Sequence, residues 1–157
     1  MPRVSNIELY AQPACPVIMI RTKTTLKELP RTIGESLGKI GAYLGENGMN
    51  PAEVPFTGFH NFRDMDPGNI EVEIGFPVAS MLPAREDMMS MVRPEILVAA
   101  CIYRGPYDGL MPVYEEMIEW AADRKYTLGD TSYEYYLNGP EFPESEMLTR
   151  TVIPIAG

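Results

Sequence analysis

The sequence has one histidine, one tryptophan and two cysteines among 157 residues, and each scarcity removes a class of function. A lone imidazole, His60, cannot supply a multi-histidine metal centre. Cys15 and Cys101 have no metal-type spacing and are too few for a disulfide framework, so buried or partly buried free thiols are expected. Their neighbourhoods, PACPV and AACIY, are apolar and offer nothing to turn either into a reactive thiolate. There is no G-x-S-x-G elbow, no HExxH pair and no phosphate-cradling glycine loop, and a single histidine makes a catalytic triad implausible. No apolar run approaches the ~20 residues of a membrane helix. The first residues, MPRVSNIELYAQPACPV, lack the charged-then-apolar form of a signal peptide, which makes the cytoplasm the expected location. Basic residues are scarce too: 13 Lys and Arg against 22 Asp and Glu give a net charge of −9. The basic residues do not cluster, so phosphate backbones find no surface to neutralise. The expectation is therefore no metal, no cofactor, no membrane and no direct nucleic-acid contact, with a cationic or neutral small organic ligand suiting the acidity.

What is present is enough apolar sequence, 45% hydrophobic, for the core of one domain. The chain reads as two similar halves at an offset of 77 residues: Ile33, Leu37, Ile40 and Leu44 fall on Leu110, Tyr114, Met117 and Ala121, one helical stripe in each half. The first helix is expected from near Pro30 to Gly45 or Gly48, and the second from an N-cap at Asp108 to about Lys125. Their charged outer faces, with Glu35, Lys39 and Glu46 and with Glu115, Glu119 and Asp123, read as solvated surface. The same offset carries Asn61 to Asn138 and Pro77 to Pro154. Strand-like VIMIRTKT and ILVAACIYRG precede the helices, and two further strands follow each. The expected fold is α+β: tandem βαββ units sharing one antiparallel sheet with two helices on one face. One domain over 1–157 follows, with repeat 1 at about 5–79 and repeat 2 at about 95–156. The Met-rich segment 79–94 reads as a connector.

One stretch, DTSYEYYLNG at 130–139, sets a carboxylate among three tyrosines in a strand. Alternation puts Ser132, Glu134 and Tyr136 on one face and Tyr133 and Tyr135 on the other. The repeat counterparts of Glu134 and Tyr136 are Thr57 and Phe59, so a site between the halves would carry a single carboxylate. A carboxylate on a central sheet face is costly unless partnered, and burial raises its pKa. Glu134 either serves a ligand, attracting an organic cation with help from aromatic faces worth roughly 0.5–2 kcal/mol each, or points to water or pairs with Arg104 or Arg150. Tyr136, Phe59, Tyr107, Trp120 and, more distantly, Tyr103 are the candidate pocket walls, each with core or turn packing as its structural alternative.

The order RGPY, a helix with Trp120, YEYYLN and a terminal IPI, together with DPGNIEVEIGFPV in the first half, resembles the GyrI-like or AraC-type effector-binding domain over about residues 5–156. The resemblance implies a small-molecule site on the sheet between the repeat helices, with Glu134 matching the pocket acid of ligand-binding relatives. In many relatives this domain follows a helix-turn-helix reader; here the residues before Val17 are too few for one, so action alone, or through a protein partner or a second copy, is expected. Solitary members are associated with toxin sequestration, and some resemble hydrolases that open strained cyclopropanes. In this chain that chemistry would use Glu134 as general base with Tyr136 or Tyr107 assisting. The similar SOUL fold adds a haem-binding alternative, with His60 as the obvious axial ligand. A labelled DNA duplex is expected to show no mobility shift with micromolar protein at physiological salt; a shifted band would contradict the charge argument.

Overall fold

Alternating apolar residues define the strands, and the helical stripes define what covers them. In the computed structural model, which describes residues 3–156, the chain runs β1 (Glu8–Gln12), β2 (Cys15–Thr24), α1 (Leu29–Glu46), β3 (Phe56–Phe59), β4 (Ile70–Pro77), β5 (Met88–Arg93), β6 (Ile96–Arg104), α2 (Met111–Asp123), β7 (Ser132–Tyr136) and β8 (Leu148–Pro154). The remaining residues of the expected domain, Met1, Pro2 and Gly157, lie outside the described ones. All eight strands form one sheet, ordered β1-β6-β8-β7-β3-β4-β2-β5, with every neighbouring pair antiparallel.

That order reads the same from either end once repeat equivalents are matched: β1 with β5, β6 with β2, β8 with β4, β7 with β3. Each repeat is therefore ββαββ, one strand longer than expected. The additional strand of each repeat pairs with the other repeat: β1 hydrogen-bonds to β6, and β5 to β2. The Met-rich connector is thus an edge strand, with Met88 buried while Met89 and Met91 stay exposed. The gapless 77-residue offset also needs correction. It holds for β3 and β7, because Phe56 pairs with Gly75 as Tyr133 pairs with Val152. It fails upstream: Val17 pairs with Pro77 and Val98 with Pro154, so β2 and β6 correspond at 81.

The four residues are absorbed between β6 and α2. Where α1 is already helical at Leu29, the second repeat makes a 3-10 turn, Tyr107–Gly109, and α2 starts only at Met111. Asp108 lies inside that turn and caps nothing; the residue preceding α2 is Leu110, with no side-chain cap. Gly105 enters the turn at φ +140°, a conformation an L side chain rarely adopts. The Tyr103 hydroxyl donates to the Pro106 carbonyl oxygen at 2.6 Å and holds the turn down. Pro30 and Pro112 occupy the first turns of α1 and α2, where the missing N–H costs no helical hydrogen bond.

Cross-strand partners share a face. The row Cys101, Thr151, Glu134, Thr57, Ile74, Ile20 runs across five adjacent pairings, and both helices cover this face. Ile40 and Leu44 of α1 pack on Ile18 and Ile20; Val113, Met117 and Ala121 of α2 pack on Ala99, Cys101 and Ile153. On the other face Val17 and Met19 of β2 join Val98 and Ala100 of β6 around Phe56, Tyr135 and Val152. Strands that distant in the order meet only because the sheet curls, with this face inward.

Gly75 pairs with Met19 on the adjacent strand β2 at close approach: an added Cβ would lie 2.0 Å from the Ile18 carbonyl oxygen and 2.8 Å from Met19 Cα. Gly75→Ala is expected to cost about 2–3 kcal/mol, the upper range for overpacking a core, and to lower Tm by several degrees. Gly41→Ala on α1, where a Cβ meets nothing within 4 Å, should leave Tm unchanged or raise stability by up to ~1 kcal/mol. Equal melts for the two variants in calorimetry would contradict the close approach.

Candidate functional site

The two central strands, β3 and β7, pair Thr57 with Glu134. These two residues are also repeat equivalents, so the pair sits on the pseudo-twofold axis of the sheet. A symmetric site would place like residues there; this chain places a hydroxyl opposite a carboxyl. Glu134 lies beneath the helices and is only 7% exposed. From α2, the Tyr114 hydroxyl donates to Glu134 Oε2 at 2.5 Å. The equivalent of Tyr114 on α1 is Leu37, which can donate nothing, so the second repeat alone supplies the partner. Ser132 Oγ lies 3.5 Å from the Tyr114 oxygen, and Phe62 flanks the Tyr114 ring at 5.5 Å between centroids.

Burial pushes the Glu134 carboxyl from 4.5 to about 7, and the hydrogen bonds from Tyr114 and then Tyr136 pull it partly back. No Lys, Arg or His among the described residues contributes to its shift. Arg150, a candidate partner from sequence, lies on the opposite face over Tyr135 at 4.6 Å and bonds Glu53 at 3.1 Å; Arg104 is exposed. Tyr114 and Tyr136 are both held well above the ordinary phenol pKa, by burial first and then by the Glu134 charge. Both phenols therefore stay protonated, as donors, at neutral pH.

The expected site residues divide. Tyr136 lies on β7 beside Glu134, and the Tyr107 ring meets it edge-on at 5.4 Å. Tyr107 is 44% exposed on its 3-10 turn, with a phenol raised by burial and then by the charge of Glu134. Phe59 shares the sheet face but is buried among Ile33 and Leu37 of α1, a core position. Tyr103 is 2% exposed and anchors the turn that carries Tyr107. Trp120 stacks on Tyr126 at 6.1 Å with Arg124 over its ring at 4.6 Å, farther along α2 than Tyr114. His60 Nε2 lies 2.5 Å from Glu73 Oε2, its Nδ1 is 3.3 Å from Thr131 Oγ1, and Arg93 holds the other Glu73 oxygen at 2.9 Å. The imidazole thus lies against Glu73 on the face of the sheet opposite Glu134, away from the candidate site. Cys101 is buried with its thiol pushed up to about 11. Shallow hollows lie elsewhere, one of about 270 Å³ beside His60 and Asp64 and one along Arg3–Asn6; Glu134 itself is buried, with neighbouring side chains closed over it. No helix of the described residues is long and apolar enough to cross a membrane.

Tyr114, in sequence only a stripe position, is the hydrogen-bond partner of Glu134. The signal was available: it is the sole hydroxyl-bearing residue in a stripe of Leu110, Met117 and Ala121, and its counterpart is aliphatic.

The raised pKa has a stability consequence. Because the folded value exceeds the unfolded one, the folded state binds more protons between pH 4.5 and about 7. The contribution is fully present below the unfolded value and is lost as pH rises through the folded one. Glu134→Gln is neutral at every pH and similar in shape. It is expected to exceed the parent in urea-unfolding stability by about 1–3 kcal/mol near pH 8 and to match it near pH 5. A pH-independent difference would show that the carboxyl is not buried unpaired.

Four solved structures, of three proteins, share this architecture. The EcmrR C-terminal domain superimposes with TM-score 0.84 at 23% identity, covering 97% of this chain and 98% of that one. EcmrR in its complex with DNA gives the same score and identity, and there the alignment spans 57% of the longer chain. SAV2435 bound to tetraphenylphosphonium matches with TM-score 0.66 at 11% identity, over 97% of this chain and 94% of that one. A hydrolase from Listeria innocua gives 0.67 at 12%, over 99% and 94%. No significant match was found among curated protein sequences. The sequence itself matches the GyrI-like small molecule binding domain over residues 5–156, and with the palindromic sheet and its paired helices this establishes that the chain belongs to the GyrI-like small molecule binding domain family.

Proposed function

We propose that the chain captures a small organic cation, with Glu134 as its charge partner and the rings of Tyr107, Tyr114 and Tyr136 as its walls. The observation that carries this reading is a carboxyl 7% exposed, with a pKa of about 7 and held only by phenols. A structural ion pair would show an Arg or Lys at that position; Glu73 on the other face has Arg93 and His60. Glu134 keeps its negative charge available, and a cation entering the low-dielectric site would favour its ionised form. Ring faces add cation–π attraction. Entry then requires the Tyr107 turn, which is exposed and begins at Gly105, to move aside from the closed site. The fold-mate SAV2435 bound to tetraphenylphosphonium supports a cation on this architecture. Sequestration by the chain alone suits an acidic surface; a transcriptional output would run through a protein partner, because a net charge of −9 opposes direct DNA contact.

Hydrolysis of a strained electrophile is the second reading, favoured by one observation. A carboxyl with pKa about 7 is matched to general-base work near neutrality, and protonated phenols stand beside it to assist a leaving group.

An arylmethylammonium and its uncharged carbon isostere distinguish charge recognition from plain apolar capture. The cation is expected to bind more tightly, with affinity rising from pH 6 to pH 8 as Glu134 ionises. Glu134→Gln should cost the cation about 1–3 kcal/mol, roughly tenfold to a hundredfold in Kd, and leave the neutral compound nearly unchanged. Equal losses for both in calorimetric titration would contradict the role of the charge. Mass spectrometry of the same mixtures should return unchanged ligand; a hydrated product would favour hydrolysis.

A further inference from the structure

The floor of the site holds more polarity than one carboxyl. Thr57, Thr149 and Thr151 are 0% exposed, and the Oγ1 of each has no hydrogen-bond partner. Thr57 and Thr151 flank Glu134 directly across β3 and β8, and Thr149 stands across from Tyr136. Directly opposed residues on one face have Cβ atoms about 4.5–5.5 Å apart, so Thr57 and Thr151 flank the carboxyl on either side and Thr149 stands one pleat repeat away beside Tyr136. The Tyr136 hydroxyl comes near enough to Thr57 for its pKa to be influenced by it, without a hydrogen bond of good geometry.

Packing does not require these hydroxyls. The repeat counterparts of Thr149 and Thr151, at the offset that relates β4 to β8, are Val72 and Ile74, each 0% exposed beside α1. Aliphatic side chains fill the same positions of the sheet in the first repeat. In the second repeat, next to the carboxyl, the positions carry oxygen. A buried hydroxyl without a partner costs stability, and two flanking the carboxyl with a third beside Tyr136 mark a place for hydrogen-bond donors.

We infer that the head group this floor accepts carries N–H bonds, as a primary ammonium or an amidinium does, and is not a fully alkylated onium; this rests on the cation reading above. With Glu134 Oε2 taken by Tyr114, an ammonium can donate to Oε1 and to the flanking threonine oxygens at once. A quaternary centre donates to none of them and leaves every hydroxyl orphaned. Sites built to hydrogen-bond a substrate group reject analogues lacking it far more strongly than apolar pockets reject a change of size. The closed packing around the carboxyl points the same way, since an ammonium head is about the size of a water molecule and a trimethylammonium is several times larger.

The test compares 2-naphthylmethylammonium with its N,N,N-trimethyl analogue, by calorimetric titration near pH 8. The primary ammonium is expected to bind at least tenfold more tightly to the parent protein. In Thr57→Val/Thr151→Val the preference should narrow to within about threefold, through loss of primary-ammonium affinity while the trimethyl compound is unaffected. Equal or tighter binding of the trimethyl compound by the parent overturns the inference and leaves the cation reading intact; no binding of either compound at millimolar concentration overturns both. The variant's melt serves as an internal control. Val is near in shape to Thr, so replacing unpartnered hydroxyls should leave Tm equal or higher, whereas a fall of more than about 5 °C would show that the hydroxyls are satisfied inside the protein and remove the premise.

Discussion

A carboxyl placed on the pseudo-twofold axis of a curled sheet, with phenols for partners and no cation, is the constraint on which the site depends. Desolvation opposes its charge, and the two hydrogen bonds that favour the charge do not offset the burial. The group is therefore poised between neutral and ionised near pH 7. A neutral Glu134 is tolerated by the closed site. An ionised one needs a counter-charge, and no Lys, Arg or His among the described residues contributes to its pKa shift; on the proposed reading a ligand brings it.

The duplication supplies the frame, and departures from it supply the chemistry. Two repeats exchange their first strands and close one palindromic sheet, which fixes β3 against β7 and puts Thr57 and Glu134 on the axis. Each element of the site then breaks the symmetry on the second-repeat side: Glu134 for Thr57, Tyr114 for Leu37, Thr151 for Ile74, and a 3-10 turn bearing Tyr107 where the first repeat has begun its helix. At two of these positions the first repeat carries the aliphatic version, Leu37 and Ile74, packed in its own core. The frame can stay rigid while one half carries polar groups.

Much of this was legible in the sequence, and the reasons are physical. The helical stripes, the 77-residue relation of β3 and β4 to β7 and β8, and the face of Glu134 all follow from periodicities of 3.6 and 2. What escaped has equally concrete causes. The edge strands β1 and β5 alternate weakly because an edge strand buries little, as the exposure of Met89 and Met91 shows. The shift from 77 to 81 lies in a turn whose geometry depends on Gly105 and on a hydrogen bond from Tyr103, neither of which has a periodic signature. For Phe59, Trp120 and Tyr103 the sequence leaves wall and packing roles open, and the fold supplies their contacts: α1, Tyr126 and Arg124, and the Pro106 turn. Tyr114 looked like one more apolar stripe residue until its hydroxyl was seen on Glu134.

The most direct measurement is a carbon-13 NMR titration of the Glu134 side-chain carboxyl in the free protein and in the presence of a saturating organic cation. The account predicts an apparent pKa near 7 in the free protein and a fall of at least about one unit when the cation is bound, because the new charge favours the ionised form. A free-protein value at the ordinary 4.5, or a value unmoved by the cation, would contradict it.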